Sequence, residues 1–244
     1  MDHPIFILGA SGGVGSSLTR ILSARGASLH LFGRDTERLA ELAEEVGGAD
    51  TTPVDVMDGQ GLTEAIRSAT EPLDGIAGLA YCVGSIDLKP LKRATEEDFL
   101  SAFRLNALGA ALAVQAAEPG LRKGKGAVVF FSTIAAGFGF ANHAVTAAAK
   151  GAVEGLTRSL AADLAPAVRV NCIAPSLLNT PLARPLTSNE TMAESIAKLH
   201  PLPRLGEAED AAALAAFLLG PESEWITGQV IALDGGRSRV RIKG

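Results

Sequence analysis

Four glycines fall within the seven residues Gly9-Ala-Ser-Gly-Gly-Val-Gly15. A backbone so free of side chains can approach a ligand closely, and the chemistry it supports is the holding of a pyrophosphate by unpaired N–H groups. That reading requires a strand leading into the loop and a helix beginning at its end. Ile5-Phe-Ile-Leu8 is apolar throughout, and Val14, Leu18, Ile21 and Leu22 recur at helical spacing. With both flanks present, Gly9, Ser11, Gly12, Gly13, Val14 and Gly15 are expected to surround the phosphates of a dinucleotide at a helix N-terminus.

Such a loop must be held by a sheet. The first helix is expected to end near Gly26, and Ser28 to Phe32 reads as a strand. Asp35 to Val46 reads as a helix, capped by Asp35 and ended by Gly47. Further strands are predicted at Thr52 to Val54, Gly75 to Val83, Gly126 to Ser132, Val168 to Ile173 and Gln229 to Leu233. Helices are predicted at Leu62 to Ala69, Glu96 to Ala117, Ala144 to Leu164 and Ala208 to Leu219. Seven strands alternating with helices, several of them apolar throughout, predict an α/β fold. It is a single doubly wound Rossmann-type domain over residues 1–244, a seven-stranded parallel sheet with helices on both faces. Residues 176–204 carry Pro181, Pro185, Pro201 and Pro203 and read as an irregular substrate-binding loop or lid.

Composition fits a compact globular chain: 244 residues, 47% hydrophobic and 20% charged. A net charge of -5 without a basic cluster argues against a nucleic-acid partner. Arg237, Arg239, Arg241 and Lys243 alternate with other residues and read as a solvated terminus. Cys82 and Cys172, the only cysteines, lie in apolar runs and read as small core residues in a reducing compartment, with no disulfide and no metal site. Met1-Asp-His-Pro leads straight into the first strand and no run reaches transmembrane length. The expectation is a cytoplasmic protein without a membrane partner.

Taken in order, the motifs resemble the short-chain dehydrogenase/reductase family over nearly the whole chain. Leu8-Gly9-Ala-Ser-Gly-Gly13-Val-Gly15 is similar to the family's TGxxxGxG, with leucine in place of threonine. Asp55-Val56 resembles the family's adenine contact after the third strand. Tyr81-Cys82-Val83-Gly84 stands at its Asn-Asn-Ala-Gly segment and keeps only the glycine. Asn106 falls where the family holds a helix-kinking asparagine, and Pro175 to Thr180, including Leu178, resembles its PGxxxT segment around the nicotinamide. Trp225 to Gly236 looks like its closing helix-to-strand segment.

The resemblance implies a nicotinamide dinucleotide. By family spacing the acidic position after the second strand is Gly33, and Arg34 comes next. An acid there meets the ribose hydroxyls of NAD, whereas a guanidinium makes charge-assisted, often bidentate bonds to the 2′-phosphate of NADP. NADP is therefore the expected cofactor. NAD is the lesser reading, resting on Asp35, twenty residues past Gly15.

Reduction of a ketone needs a hydride from the cofactor and a proton for the developing alkoxide. In the family a tyrosine supplies the proton, assisted by a lysine four residues on, and a serine thirteen residues before the tyrosine holds the substrate oxygen. Placing Lys150 at the lysine puts Thr146 at the tyrosine and Thr133 at the serine, and the only tyrosine of the chain is Tyr81. Lys150 is expected to bond the nicotinamide ribose. Thr133 offers the same hydroxyl as serine. Thr146 cannot act as the acid, because an aliphatic hydroxyl titrates far above the roughly 10 of a phenol. His143 lies seven residues before Lys150, nearly two helical turns, the spacing at which the divergent enoyl reductases hold their tyrosine. Imidazole suits general acid chemistry near neutral pH. The proton source is thus either His143 or a water ordered by Thr133, Thr146 and Asn106.

These residues lead to an NADP(H)-dependent oxidoreductase acting on a small carbonyl, alcohol or enone substrate. The alternative is a catalytically degenerate NADP(H)-binding regulator or scaffold. The resemblance also implies a homodimer or homotetramer joined through the helices carrying Asn106 and Lys150.

Overall fold

The computed structural model describes residues 3–241, and Lys243 of the basic tail lies outside the described residues. Ile5-Phe-Ile-Leu8 forms β1 (Ile5–Leu8), buried at all four positions, as befits a strand covered on both faces. Its alternating side chains feed two cores: Phe6 and Leu8 join one cluster, Ile5 and Ile7 the other. The sheet also contains β2 (Leu29–Gly33), β3 (Asp50–Pro53), β4 (Gly78–Tyr81), β5 (Ala127–Phe131), β6 (Arg169–Pro175) and β9 (Val230–Leu233). All seven strands run parallel in the order β3-β2-β1-β4-β5-β6-β9. The predicted fold class therefore holds. Strand order reverses between β1 and β4, which opens a crevice at their carboxyl ends, where Gly9 and Cys82 follow them.

Helices α1 (Gly13–Ala24), α2 (Thr36–Glu45) and α10 (Ala208–Leu219) cover one face through Leu18, Leu22, Leu39, Leu42 and Leu218. On the other face, α3 (Gly59–Thr70), α5 (Gly109–Gly124) and α7 (Ala144–Leu164) bury Leu62, Ile66, Val114, Leu121, Val153 and Leu164. Each such side chain removed from water contributes roughly 1.5–3 kcal/mol. Asp35 caps α2 by accepting the Arg38 N–H at 3.1 Å, and Asp58 caps α3 by accepting that of Gly61 at 3.0 Å.

Three elements differ from the sequence expectations. Strand β4 is four residues long: at its start Gly75 and Ile76 pack against the α5 C-terminus, the Ile76 N–H donating to the Gly120 carbonyl at 2.9 Å, and beyond its end Cys82 and Val83 line the crevice. The helix from Glu96 does not stop at Ala117. It runs as α4 (Glu96–Phe103), a π-helical turn at Arg104–Leu108 and α5, crossing Pro119 to end at Lys125 in the left-handed region, φ 49. As a continuous stretch of 29 residues it is long and apolar enough, by length and composition, to cross a membrane, contrary to the sequence expectation. Its alanine-rich face, with Ala110, Ala113 and Ala117, packs into the core. Residues 176–204, expected to be irregular, fold into β7 (Leu178–Asn179), a 3-10 turn at Pro181–Ala183, α8 (Arg184–Thr187) and α9 (Glu190–Ala197). The prolines sit at helix starts or outside helices, and Asn189 caps α9 by accepting the Met192 N–H at 3.0 Å. β7 pairs with β8 (Gly206–Glu207), and α6 (Ile134–Gly137) follows β5.

Candidate active site

The glycine loop turns at Gly9, φ +75. A Cβ on Gly15 would collide with the Gly9 carbonyl, and one on Gly13 would stand 3.0 Å from the Thr180 side chain. The glycines therefore close the loop on itself and seat it against Thr180. Gly12 is the N-cap of α1 without a side-chain bond, so the first-turn N–H groups have no intrahelical partner. Ser11, Gly12, Gly13 and Val14 line a cleft of about 550 Å³. No acidic side chain stands in that first turn to oppose a phosphate.

Arg34 lines the same cleft beyond β2, together with Arg38, which sequence reasoning missed. The signal was the place of Arg38 in the first turn of α2, three residues after the cap Asp35. The Asp35 carboxylate is held by the Arg38 backbone at 3.1 Å and faces its guanidinium at 3.3 Å, so the competing ribose acid is already engaged. Val56 lines the cleft and Asp55 does not; the Asp55 Oδ1 accepts the Met57 N–H at 2.9 Å.

Cys82, Val83, Gly84, Val14 and Thr180 are shared with a second, adjoining pocket of about 280 Å³. Here the structure brings together Lys150, Thr133, Thr146, His143, Pro175 and Leu178. Burial pushes the Cys82 thiol up to about 12, so it stays neutral where the clefts meet.

Lys150 is 7% exposed and donates to the Phe131 carbonyl at 2.8 Å; burial pushes its ammonium down to about 8. Asn106 stands in the π-helical turn, where its Nδ2 donates to the Ala102 carbonyl at 2.8 Å and the Ser85 hydroxyl at 3.1 Å. Its Oδ1 is buried without a partner among the described residues. A Cβ on Gly84 would stand 3.0 Å from Lys150 Nζ and 3.2 Å from Asn106 Oδ1, so glycine alone leaves room where the two groups meet. Asn106 lies behind Gly84 and lines neither cleft.

Neither threonine hydroxyl is idle. Thr133 caps α6 by accepting the Ala135 N–H at 3.3 Å and donates to the Pro175 carbonyl over a long 3.3 Å. Thr146 donates its one proton to the Asp87 carbonyl at 2.9 Å and accepts the Asp87 N–H at 3.0 Å. Both hydroxyl protons bond backbone carbonyls and Asn106 lines neither cleft, so a water at either threonine would have to donate to it rather than accept from it. His143 is the N-cap residue of α7, and its Nδ1 faces the Ala141 carbonyl at 2.7 Å. A carbonyl only accepts, so Nδ1 carries hydrogen and Nε2 is the basic nitrogen of the neutral ring.

The sole tyrosine stands outside both clefts, its hydroxyl donating to the Leu105 carbonyl at 2.7 Å and its acidity further suppressed by burial. Arg237 corrects another expectation. It is no solvated terminus: it lines the second pocket, its guanidinium 4.7 Å from the centre of the Phe140 ring, while Arg239 and Arg241 remain exposed. The closing turn carries it there, and the alternating basic tail gives no sign of that turn.

A parallel sheet whose topological switch point opens on a glycine loop, continuous with a pocket holding a buried lysine, defines a nucleotide-binding α/β domain of the oxidoreductase kind. A family model described as enoyl-(acyl carrier protein) reductase matches residues 9–238. A hydroxynaphthalene reductase-like protein of Metarhizium anisopliae is 34% identical over 248 residues, covering 94% of this chain and 92% of that protein. A short-chain type dehydrogenase/reductase from Mycobacterium ulcerans superposes with TM-score 0.91 at 31% identity, over 99% of this chain and 91% of that one. A gluconate 5-dehydrogenase from Burkholderia cenocepacia, solved with NADP and tartrate, superposes with TM-score 0.91 at 26% identity, over 98% and 96% of the two chains. The chain belongs to the short-chain dehydrogenase/reductase family.

Proposed function

We propose that this protein reduces a small carbonyl compound with NADPH, and that His143 rather than a tyrosine delivers the proton. The observation that carries this reading is the placement of His143 on the wall of the pocket that also holds Lys150 and Thr133. The residues fit a nicotinamide dinucleotide: the glycine cradle excludes any Cβ, Asn106 Oδ1 is an orphaned acceptor beside Lys150, and Arg34 and Arg38 stand beyond β2. Two guanidiniums without a free acid between them favour a 2′-phosphate over a bare ribose. The bound complex of the Burkholderia relative supports the same choice.

When bound, the cofactor supplies the hydride. Thr133 exchanges its long bond to Pro175 for the substrate oxygen and polarises it. Lys150 orients the nicotinamide ribose and keeps the pocket positive. Protonated His143 gives its Nε2 proton to the developing alkoxide, and the neutral ring that remains keeps its Nδ1–H on the Ala141 carbonyl. Thr146 serves as a strut for the loop around Asp87.

The engaged proton of Thr146 and the remote Tyr81 favour a second reading, a protein that holds NADP(H) without turnover. NADPH and NADH oxidation, followed against a panel of ketones, quinones and enones, separates the two. Carbonyl-dependent consumption of NADPH in preference to NADH is expected. Tight NADPH binding with no turnover across the panel overturns the reductase.

A further inference from the structure

Asp234-Gly235-Gly236 reverses the chain after β9, with φ 58 and 90 at the two glycines. The Asp234 carboxylate fixes this turn by accepting the N–H groups of Gly236 at 2.9 Å and Ser238 at 2.8 Å. Arg237 is thereby delivered to the pocket. Its guanidinium packs on Phe140, and one N–H reaches the Ser176 hydroxyl at 3.3 Å.

Ser176 is itself oriented. His200, 3% exposed, faces the Ala197 carbonyl through Nδ1 at 3.2 Å, so Nδ1 bears the hydrogen and Nε2 accepts from Ser176 at 2.8 Å. The Ser176 oxygen then presents a lone pair to Arg237. The guanidinium is held from two sides, while no carboxylate lies within ion-pair distance of it among the described residues. Its surroundings are apolar: Leu177, Leu182, Leu186 and Ile196 line the same pocket. Burial accordingly disfavours the charged form of Arg237, with Asp234 only partly compensating. A pre-positioned, part-buried cation with unused donors beside an apolar wall is a ready partner for an anion that arrives with the ligand.

The geometry points to Arg237 as the specificity-determining residue of this pocket, selecting substrates that carry a carboxylate remote from the reacting carbonyl. The inference rests on the reductase reading for the word substrate, and on the pocket alone for the carboxylate. A guanidinium fork matches a carboxylate bidentately, and the leucine and isoleucine side chains suit the aliphatic chain between the two ends. The class is an aliphatic oxo acid, with its carbonyl near Thr133 and its acid group at Arg237.

The test titrates short straight-chain γ-oxo acids and their methyl esters calorimetrically into the full protein, with and without saturating NADP, in wild type, Arg237→Met and Arg237→Lys. Expected is tighter binding of an acid than of its ester by on the order of tenfold or more. That gap closes in Arg237→Met and is partly kept in Arg237→Lys. Because acid and ester are compared within one protein, a stability loss in a variant does not imitate the result. Equal binding of acid and ester by wild type, a gap that survives Arg237→Met, or no binding by any acid of the series overturns the inference. NADPH consumption in the same samples separates the two claims. An Arg237-dependent acid preference without turnover defeats the reductase and leaves the carboxylate anchor standing. Equal turnover of acids and esters does the reverse.

Discussion

Thr146 and Asp87 form a closed pair: the threonine hydroxyl donates to the Asp87 carbonyl at 2.9 Å and accepts its N–H at 3.0 Å, across 59 residues of chain. The hydroxyl at the family's acid position thus pins the loop after β4 onto α7. Thr146→Val leaves both backbone groups unpaired, which costs about 1–3 kcal/mol. The melting temperature is expected to fall while kcat changes less than about fivefold, with Thr146→Ser restoring stability. A collapse of kcat in a folded Thr146→Val protein would contradict the strut role and show that this hydroxyl bonds the reacting partners.

Arg34 and Arg38 share one end of the cleft, and Asp35 is engaged by Arg38. Changing both arginines to glutamine removes charge-assisted bonds to a 2′-phosphate and leaves the ribose contacts. Fluorescence titration should show NADPH affinity reduced on the order of ten- to a hundredfold, with NADH affinity little altered. A wild-type protein that prefers NADH refutes the assignment.

Burial holds Lys150 near 8 against an ordinary value of 10.5. A depressed lysine destabilises the fold where both states bind the proton, below about pH 8. Between about pH 8 and 10.5 the unfolded chain binds more protons, so the contribution of Lys150 to stability rises with pH. The full effect is on the order of 3 kcal/mol. Denaturant unfolding of the apo protein should therefore show wild type gaining on Lys150→Met across that window. Cofactor affinity should move the opposite way, weakening as pH passes 8 and the ammonium is lost. Parallel pH profiles for the two proteins contradict this account.

The glycine loop was legible because its signal is local: apolar strand, four glycines and helical spacing all lie within a short stretch. The cap at Asp35 was legible for the same reason. The helix expected to end at Ala117 continues through Pro119, although proline ordinarily stops a helix. The core contact of Leu121 and the close approach of Gly120 and Gly124 to Ile76 carry α5 past it. The helices within residues 176–204 were hidden by prolines that in fact start or flank them. Asp55 was placed by family spacing, and in the structure one of its carboxylate oxygens is occupied by the Met57 N–H. The engagement of Thr146 by Asp87 and of Arg237 by Phe140 has no counterpart in sequence, since each joins residues distant in the chain.

Single-turnover NADPH oxidation by His143→Gln measures whether the pocket that holds Lys150 uses a histidine as its acid. With a carbonyl substrate that wild type reduces, the expected rate is lower by on the order of a hundred- to ten-thousandfold at unchanged NADPH affinity. A His143→Gln protein that oxidises NADPH at the wild-type rate would contradict histidine as the acid.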